Sequence, residues 1–149
     1  MNSDAELGPE LGGRLSYLLK RAFLELEDLH VEHLAPFGLN ARELAVLLLL
    51  AGREPESQQQ AAGRLGVDRT TMVGLLDALE RKGLVARQPD PGDRRRNVVG
   101  LTDAGHQTLE QARAASDEAE RQLLGELSET EARQLRELLR RVTPGRVRR

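Results

Sequence analysis

Apolar residues recur at helical spacing from Glu10 to about Ala35. Leu11, Leu15, Leu18, Ala22, Leu26 and Leu29 form one stripe, which Leu19 and Phe23 widen. The spacing predicts one helix of ~35–40 Å, longer than a compact domain needs, stopped by Pro36 and Gly38. Asn40 caps a second helix in which Leu44 to Ala51 is apolar all round, the pattern of a helix buried on every side. Ser57 caps a short helix through Leu65 that Gly66 ends, and Asp68 caps another that runs to Lys82 and stops at Gly83. Helix, glycine-containing turn, helix is the order of a helix-turn-helix. Two strand-like runs follow, Leu84–Gln88 and Asn97–Leu101, and the P-D-P-G-D-R-R-R between them is a turn with an arginine-rich limb. Thr102 caps a long helix marked by Leu109, Ala112, Ala119, Leu123 and Leu127. The stretch S-E-T-E from Ser128 to Glu131 is a capping box opening a last helix with Leu135, Leu138, Leu139 and Val142. The tail from Thr143 to Arg149 is expected to be loose. The fold class is therefore mainly α with a small β-hairpin.

Composition narrows the class. A chain of 149 residues suits one ordinary domain with helical extensions. With 39% hydrophobic and 31% charged residues it has the balance of a soluble globular protein. The absence of cysteine removes disulfides, thiolate metal sites and thiol redox sensing. Leu44 to Ala51 is far short of the ~20 apolar residues that span a bilayer, and the first residues lack a secretory pattern, so a cytoplasmic location is expected. Only Tyr17, Phe23 and Phe37 are aromatic, which argues against stacking of single-stranded bases.

The net charge of −2 gives no reason to suspect nucleic acid, but its distribution does. From Ser57 to Leu101 eight basic residues (Arg64, Arg69, Arg81, Lys82, Arg87, Arg94, Arg95, Arg96) face five acidic ones (Asp68, Asp77, Glu80, Asp90, Asp93). That excess of three positive charges leaves −5 for the remainder. A basic centre between acidic flanks is what a localised polyanion site would look like. In the helix after Asp68, Met72, Leu75, Leu76 and Leu79 define a buried side. At about 100° per residue, Thr70, Val73, Gly74, Asp77 and Arg81 fall on the open side, with Arg69 and Thr71 flanking the helix start. Hydroxyls, arginines, a glycine and free N–H groups at a helix N-terminus suit a DNA groove; the competing reading is a solvated helix face. On the extended limb, Arg94 and Arg96 should point one way and Arg95 the other. Three like charges at a hairpin tip contribute nothing to a core, whereas a phosphate backbone or a minor groove favours them. Asp90 and Asp93 are placed to pair with one of these arginines.

The run D-P-G-D-R-R-R-N-V-V-G-L-T-D-A-G (Asp90 to Gly105) resembles the wing signature of the MarR family, the multiple antibiotic resistance regulators. The preceding D-R-T-T-M-V-G-L-L-D-A-L-E-R-K-G-L-V (Asp68 to Val85) resembles its recognition helix, and the likeness extends over nearly the whole chain. The resemblance implies a dimeric winged helix-turn-helix transcriptional regulator, a repressor, with N- and C-terminal dimerisation helices. It implies that residues 1–36 and 104–149 supply the dimer interface and 37–103 the DNA-binding domain. It places the recognition helix in the major groove of double-stranded DNA and Arg94 in the adjacent minor groove. The DNA-binding residues are then Arg69, Thr70, Thr71, Gly74, Arg94, Arg95 and Arg96. Many members carry an arginine where this chain has Gly74, which instead lets the helix backbone approach DNA closely. The resemblance also implies a small aromatic or anionic ligand between the dimer helices and the winged module, in a crevice near Tyr17, His30, His33 and Arg42.

Two further readings follow from the residues themselves. The first, fifth and sixth helices carry stripes that a small winged module cannot cover, so an isologous homodimer is expected, and with it a pseudo-palindromic operator. Glu27, His30 and His33 have E-x-x-H spacing that can hold a metal, but no second ligand set accompanies them, so no metal and no cofactor are expected. No catalytic pattern accompanies these features, so an enzyme is not expected. The alternative from another class is a helical dimeric interaction or metal-sensing module that makes no contact with DNA.

Overall fold

The computed structural model describes residues 3–145, so residues 146–149 of the expected loose tail lie outside it. Where the apolar stripe predicts one helix from Glu10 to Ala35, the chain is broken into α1 (Ser3–Gly12), itself kinked at Gly8 (φ 77°, ψ 163°), and α2 (Leu15–Leu34). The break falls at Gly12, Gly13 and Arg14, the last of these extended at φ −73° and ψ 134°. Each glycine inside a helix costs about 1 kcal/mol relative to alanine, and two in succession outweigh the continuity of the stripe. α2 ends in a 3-10 turn over Ala35–Phe37, and Gly38 takes a left-handed conformation (φ 65°) that closes it.

The caps fall where the sequence puts them. Asn40 accepts the Glu43 N–H at 2.8 Å, and the Glu43 carboxylate accepts the Asn40 N–H at 3.1 Å, opening α3 (Ala41–Ala51). Ser57 opens α4 (Gln58–Leu65) in the same reciprocal way with Gln60, and Asp68 opens α5 (Arg69–Arg81). The hairpin is longer than its two apolar runs suggest: β1 covers Val85–Asp90 and β2 covers Asp93–Leu101. They pair antiparallel from Val85 opposite Leu101 to Pro89 opposite Asn97, with a register shift between Pro89 and Asp90. The arginine run is thus itself strand. The β1–β2 pair is anchored at its base, where the Val99 N–H donates to the Glu56 carbonyl at 3.0 Å. α6 (Asp103–Leu123) and α7 (Glu129–Val142) follow, capped by Thr102 and Ser128.

One core joins these elements. Leu34, Val46, Leu47, Met72, Leu76, Leu79, Val99 and Leu109 are its largest fully buried side chains. α3 lies at its centre, touching α2, α4, α5, α6 and β2. The apolar run of α3 is not covered on every side, however: Leu48 is 40% exposed. α2 packs along α6, outside the helix-turn-helix. Their outer surfaces and α7 stay uncovered, with Leu15, Leu18, Leu19, Phe23, Leu135, Leu138, Leu139 and Val142 all exposed. Among the described residues no single helix is long and apolar enough to cross a membrane.

Candidate nucleic-acid interface and adjoining cavity

α5 presents its apolar side inward, through Met72, Leu76 and Leu79, as its periodicity requires. Arg69, Thr70, Gly74 and Arg81 are exposed on the other side, and Thr71, Val73 and Asp77 are half-buried. The start of the helix is not a free anion site. Asp68 accepts the Thr71 N–H at 2.7 Å and the Thr71 hydroxyl at 2.9 Å. The Thr71 backbone and hydroxyl bonds hold the Asp68 carboxyl below the usual carboxylate range. The expected free N–H groups are therefore partly spoken for, and an ionised carboxylate sits among them. What remains for a polyanion at this end is the Arg69 guanidinium and the Thr70 hydroxyl.

Gly74 leaves a flat spot on the open face. A β-carbon there would meet nothing within 4 Å, so packing inside the chain does not require glycine. The wing tip lies at the end of β1, a strand that packs against α5. Asp90, Pro91, Gly92 and Asp93 make its turn, with the Gly92 N–H donating to Asp90 Oδ1 at 2.9 Å and the Arg95 N–H to Asp93 Oδ1 at 3.1 Å. The two aspartates thus shape the turn and, among the described residues, do not pair with an arginine side chain, contrary to the expectation from spacing. Arg94, Arg95 and Arg96 are all exposed, and among the described residues no acceptor takes up their guanidinium groups.

The eight central cations divide into two sets. Arg64 bonds both oxygens of buried Glu56 (3.1 and 3.0 Å), and Lys82 bonds buried Glu43 at 2.7 Å and the Gly38 carbonyl at 2.6 Å. Arg87 bonds Asp77 at 2.8 Å, Glu80 at 3.0 Å and Gln58 at 3.0 Å. Burial opposes the charge on Arg87, but its bonds to Asp77 and Glu80 and the nearby Glu80 charge outweigh this and raise its pKa. These three cations are structural, and counting charges along the sequence does not separate them from the rest. Arg69, Arg81, Arg94, Arg95 and Arg96 have no such internal partner among the described residues, and they lie on the open face of α5 or at the wing tip.

A cavity of about 310 Å³ opens between α2 and the helix-turn-helix. Phe23, Leu26, Glu27 and His30 line it from α2, Ala41, Arg42 and Ala45 from α3, and Leu65, Val67 and Leu75 from α4, the turn and α5. Of the residues expected near a crevice, His30 and Arg42 line it, whereas Tyr17 and His33 do not. The apolar lining was missed because Phe23, Leu26 and Leu75 belong to stripes that read as core. His30 Nε2 shares a 2.8 Å hydrogen bond with the Ser116 hydroxyl of α6, and His33 Nε2 is buried without a partner. Burial lowers the His30 pKa; Glu120 opposes this and His33 adds to it. Among the described residues, no three carboxylate or imidazole groups converge as metal ligands.

Residues 39–96 match the model of the MarR family. The chain is 33% identical over 132 residues to the HTH-type transcriptional regulator PecS of Dickeya dadantii, covering 87% of this chain and 75% of PecS. It is 36% identical over 90 residues to an HTH-type transcriptional regulator of Bacillus subtilis, YkoM; that match takes in 60% of this chain but only 58% of the relative. Among solved structures, the transcriptional repressor CouR bound to a 23-mer DNA duplex aligns with a TM-score of 0.84 at 35% identity, over 90% of this chain and 95% of CouR. CouR from Rhodococcus jostii RHA1 bound to p-coumaroyl-CoA aligns with a TM-score of 0.81 at 29% identity, over 95% and 100% of the two chains.

Proposed function

The chain belongs to the MarR family of transcriptional regulators, and we propose that it is a homodimeric repressor that binds a pseudo-palindromic operator in double-stranded DNA. One observation carries the reading: of the eight central cations, the five without an internal partner among the described residues lie on the open face of α5 and at the wing tip. Such cations are the groups that displace counterions from a phosphate backbone. Arg69, Thr70 and Gly74 face the major groove, Thr71 stands behind them with its hydroxyl held by Asp68, and Arg94, Arg95 and Arg96 reach the adjacent minor groove and its phosphates. CouR, a repressor with the same fold, has been solved on a DNA duplex, which supports duplex DNA as the partner.

Residues 1–36 and 104–149 form the dimerisation part and 37–103 the DNA-binding part. The exposed leucines of α2 and α7 supply the apolar surface, and a two-fold dimer sets the recognition helices ~34–36 Å apart, one turn of DNA. In the cell this places the protein with the DNA, in the cytoplasm. The cavity takes a small aromatic or anionic ligand. Arg42 supplies the cation at its mouth and Phe23, Leu26 and Leu75 the apolar walls. Because one wall belongs to α2 and the other to the helix-turn-helix, a ligand that prefers one separation of the two biases the spacing of the recognition helices.

Selection of duplexes from a random-sequence pool by the purified protein, followed by titration of the enriched sequence, tests the reading. Enrichment of an inverted repeat bound by two chains is expected. A protein that sediments as a 16.5 kDa monomer at micromolar concentration, or that enriches nothing, removes it. Titration with benzoate and 4-hydroxycinnamate tests the ligand, and Arg42→Ala should weaken whichever binds.

A further inference from the structure

The wing is a two-stranded ribbon, and such ribbons are marginal unless something else holds them. Its base is held by the Val99 bridge to Glu56 and by buried Val85, Val98 and Val99. From Pro91 to Asn97 every residue is exposed. Within the base, opposite Val99 on β2, lies Arg87, its side chain only 22% exposed. Nη2 donates to Asp77 Oδ1 at 2.8 Å and Gln58 Oε1 at 3.0 Å, and Nη1 donates to Glu80 Oε2 at 3.0 Å. One guanidinium therefore ties β1 to both helices of the helix-turn-helix.

We propose that Arg87 is a positioning residue for DNA recognition: it joins the wing to α5 as one rigid body and so sets the offset between the groove-facing start of the helix and the arginine tip. This rests on the DNA-binding reading above, and it assigns Arg87 no contact with DNA. The lever arm gives the scale. Pro91 lies four positions beyond Arg87, ~13 Å of strand, so a rotation of about 10° at Arg87 moves the tip by ~2 Å. A recognition site tolerates about 0.5 Å. Reaching separate carboxylates and an amide needs a planar fork of donors, whereas a lysine ammonium is a single point of charge. An ordinary surface ion pair would contribute little; this one spans elements with no other polar link between their side chains among the described residues.

The test uses the full-length protein, its Arg87→Lys, Arg87→Gln and Asp77→Asn variants, a duplex selected by the unaltered chain from a random pool, and poly(dI-dC) as a non-selective duplex. Without DNA, amide exchange should quicken over residues 86–97 in all three variants while that of α3 stays unchanged. With DNA, each variant should lose roughly tenfold in affinity for the selected duplex, the order expected for one lost coupling. Affinity for poly(dI-dC) and the salt dependence should not change. A salt slope reduced by about one unit in Arg87→Gln would make Arg87 a phosphate ligand and overturn the proposal. Unchanged wing exchange, or Arg87→Lys with full selective affinity, would also overturn it. If the unaltered chain selects no duplex, the regulator reading falls and takes the recognition role with it; the exchange measurement then still decides whether the clamp exists.

Discussion

The α-carbon of Gly105 lies directly against the carbonyl of Leu84: a β-carbon built at Gly105 would collide with that oxygen. The same carbonyl accepts the Thr102 N–H at 3.1 Å, and the Thr102 hydroxyl donates to the Gly83 carbonyl at 2.6 Å while accepting the Gly105 N–H at 3.0 Å. The start of α6 is thereby fastened to the turn between α5 and β1. Gly105 closes the wing-like run in the sequence, and backbone contact is the physical reason for a glycine there. Gly105→Ala should cost ~1–3 kcal/mol, the range for overpacking a filled site. Urea denaturation would show a lower midpoint at an unchanged slope.

Gly74 makes the opposite case. With open space around its absent β-carbon, Gly74→Ala should raise stability by about 0.5–1 kcal/mol through helix propensity alone. If the helix backbone approaches DNA at this point, the same variant should bind the selected duplex more weakly. Higher thermal stability together with undiminished affinity would refute the close approach.

At the wing, Arg94→Ala should cost about 1–3 kcal/mol in operator affinity, and it should reduce the salt slope by about one if the guanidinium neutralises a phosphate. Arg95, on the alternate side of the strand, supplies the comparison. Fluorescence anisotropy at several salt concentrations separates the two, and unchanged affinity together with an unchanged slope for Arg94→Ala would remove this arginine from the interface.

His30 gives a pH dependence with a definite sign. Burial lowers its pKa below the ordinary 6.5, with Glu120 opposing and His33 assisting. The unfolded chain therefore takes up the proton more readily than the folded one. His30 contributes its stability fully above about pH 6.5, and that contribution is lost as the pH falls through the lower folded value. Glu27 and Arg42 share the cavity lining with it, Ser116 shares its hydrogen bond, and Glu120 and His33 act on its charge. His30→Gln should flatten stability against pH below that point. An unaltered profile would assign the acid limb to other groups.

The sequence showed some of these features and hid others. Asn40, Ser57, Asp68, Thr102 and Ser128 all cap helices as read, because a cap is a local hydrogen bond between residues close in sequence. The break at Gly12–Gly13 was hidden by an apolar stripe that runs across it. The division of the central cations was hidden for a different reason. Glu43 lies 39 positions from Lys82, and Gln58 lies 29 positions from Arg87. Pairings over such distances are decided by the tertiary fold. The cavity was legible only in part: Arg42 and His30 are conspicuous by chemistry, whereas Leu65, Val67 and Leu75 become its wall only once α4 and α5 are folded against α2.

The hairpin described above has two strands and therefore two outer edges, each with backbone groups that a strand from another copy could satisfy. Pro89 interrupts the donor row on β1, and the successive guanidinium groups on β2 repel a second ribbon brought alongside. The charges suited to a polyanion thus also keep copies of the chain from zipping together. Neutralising all three arginines at once removes that guard, so a triple variant that no longer shifts DNA is informative only if it also stays dispersed in the centrifuge.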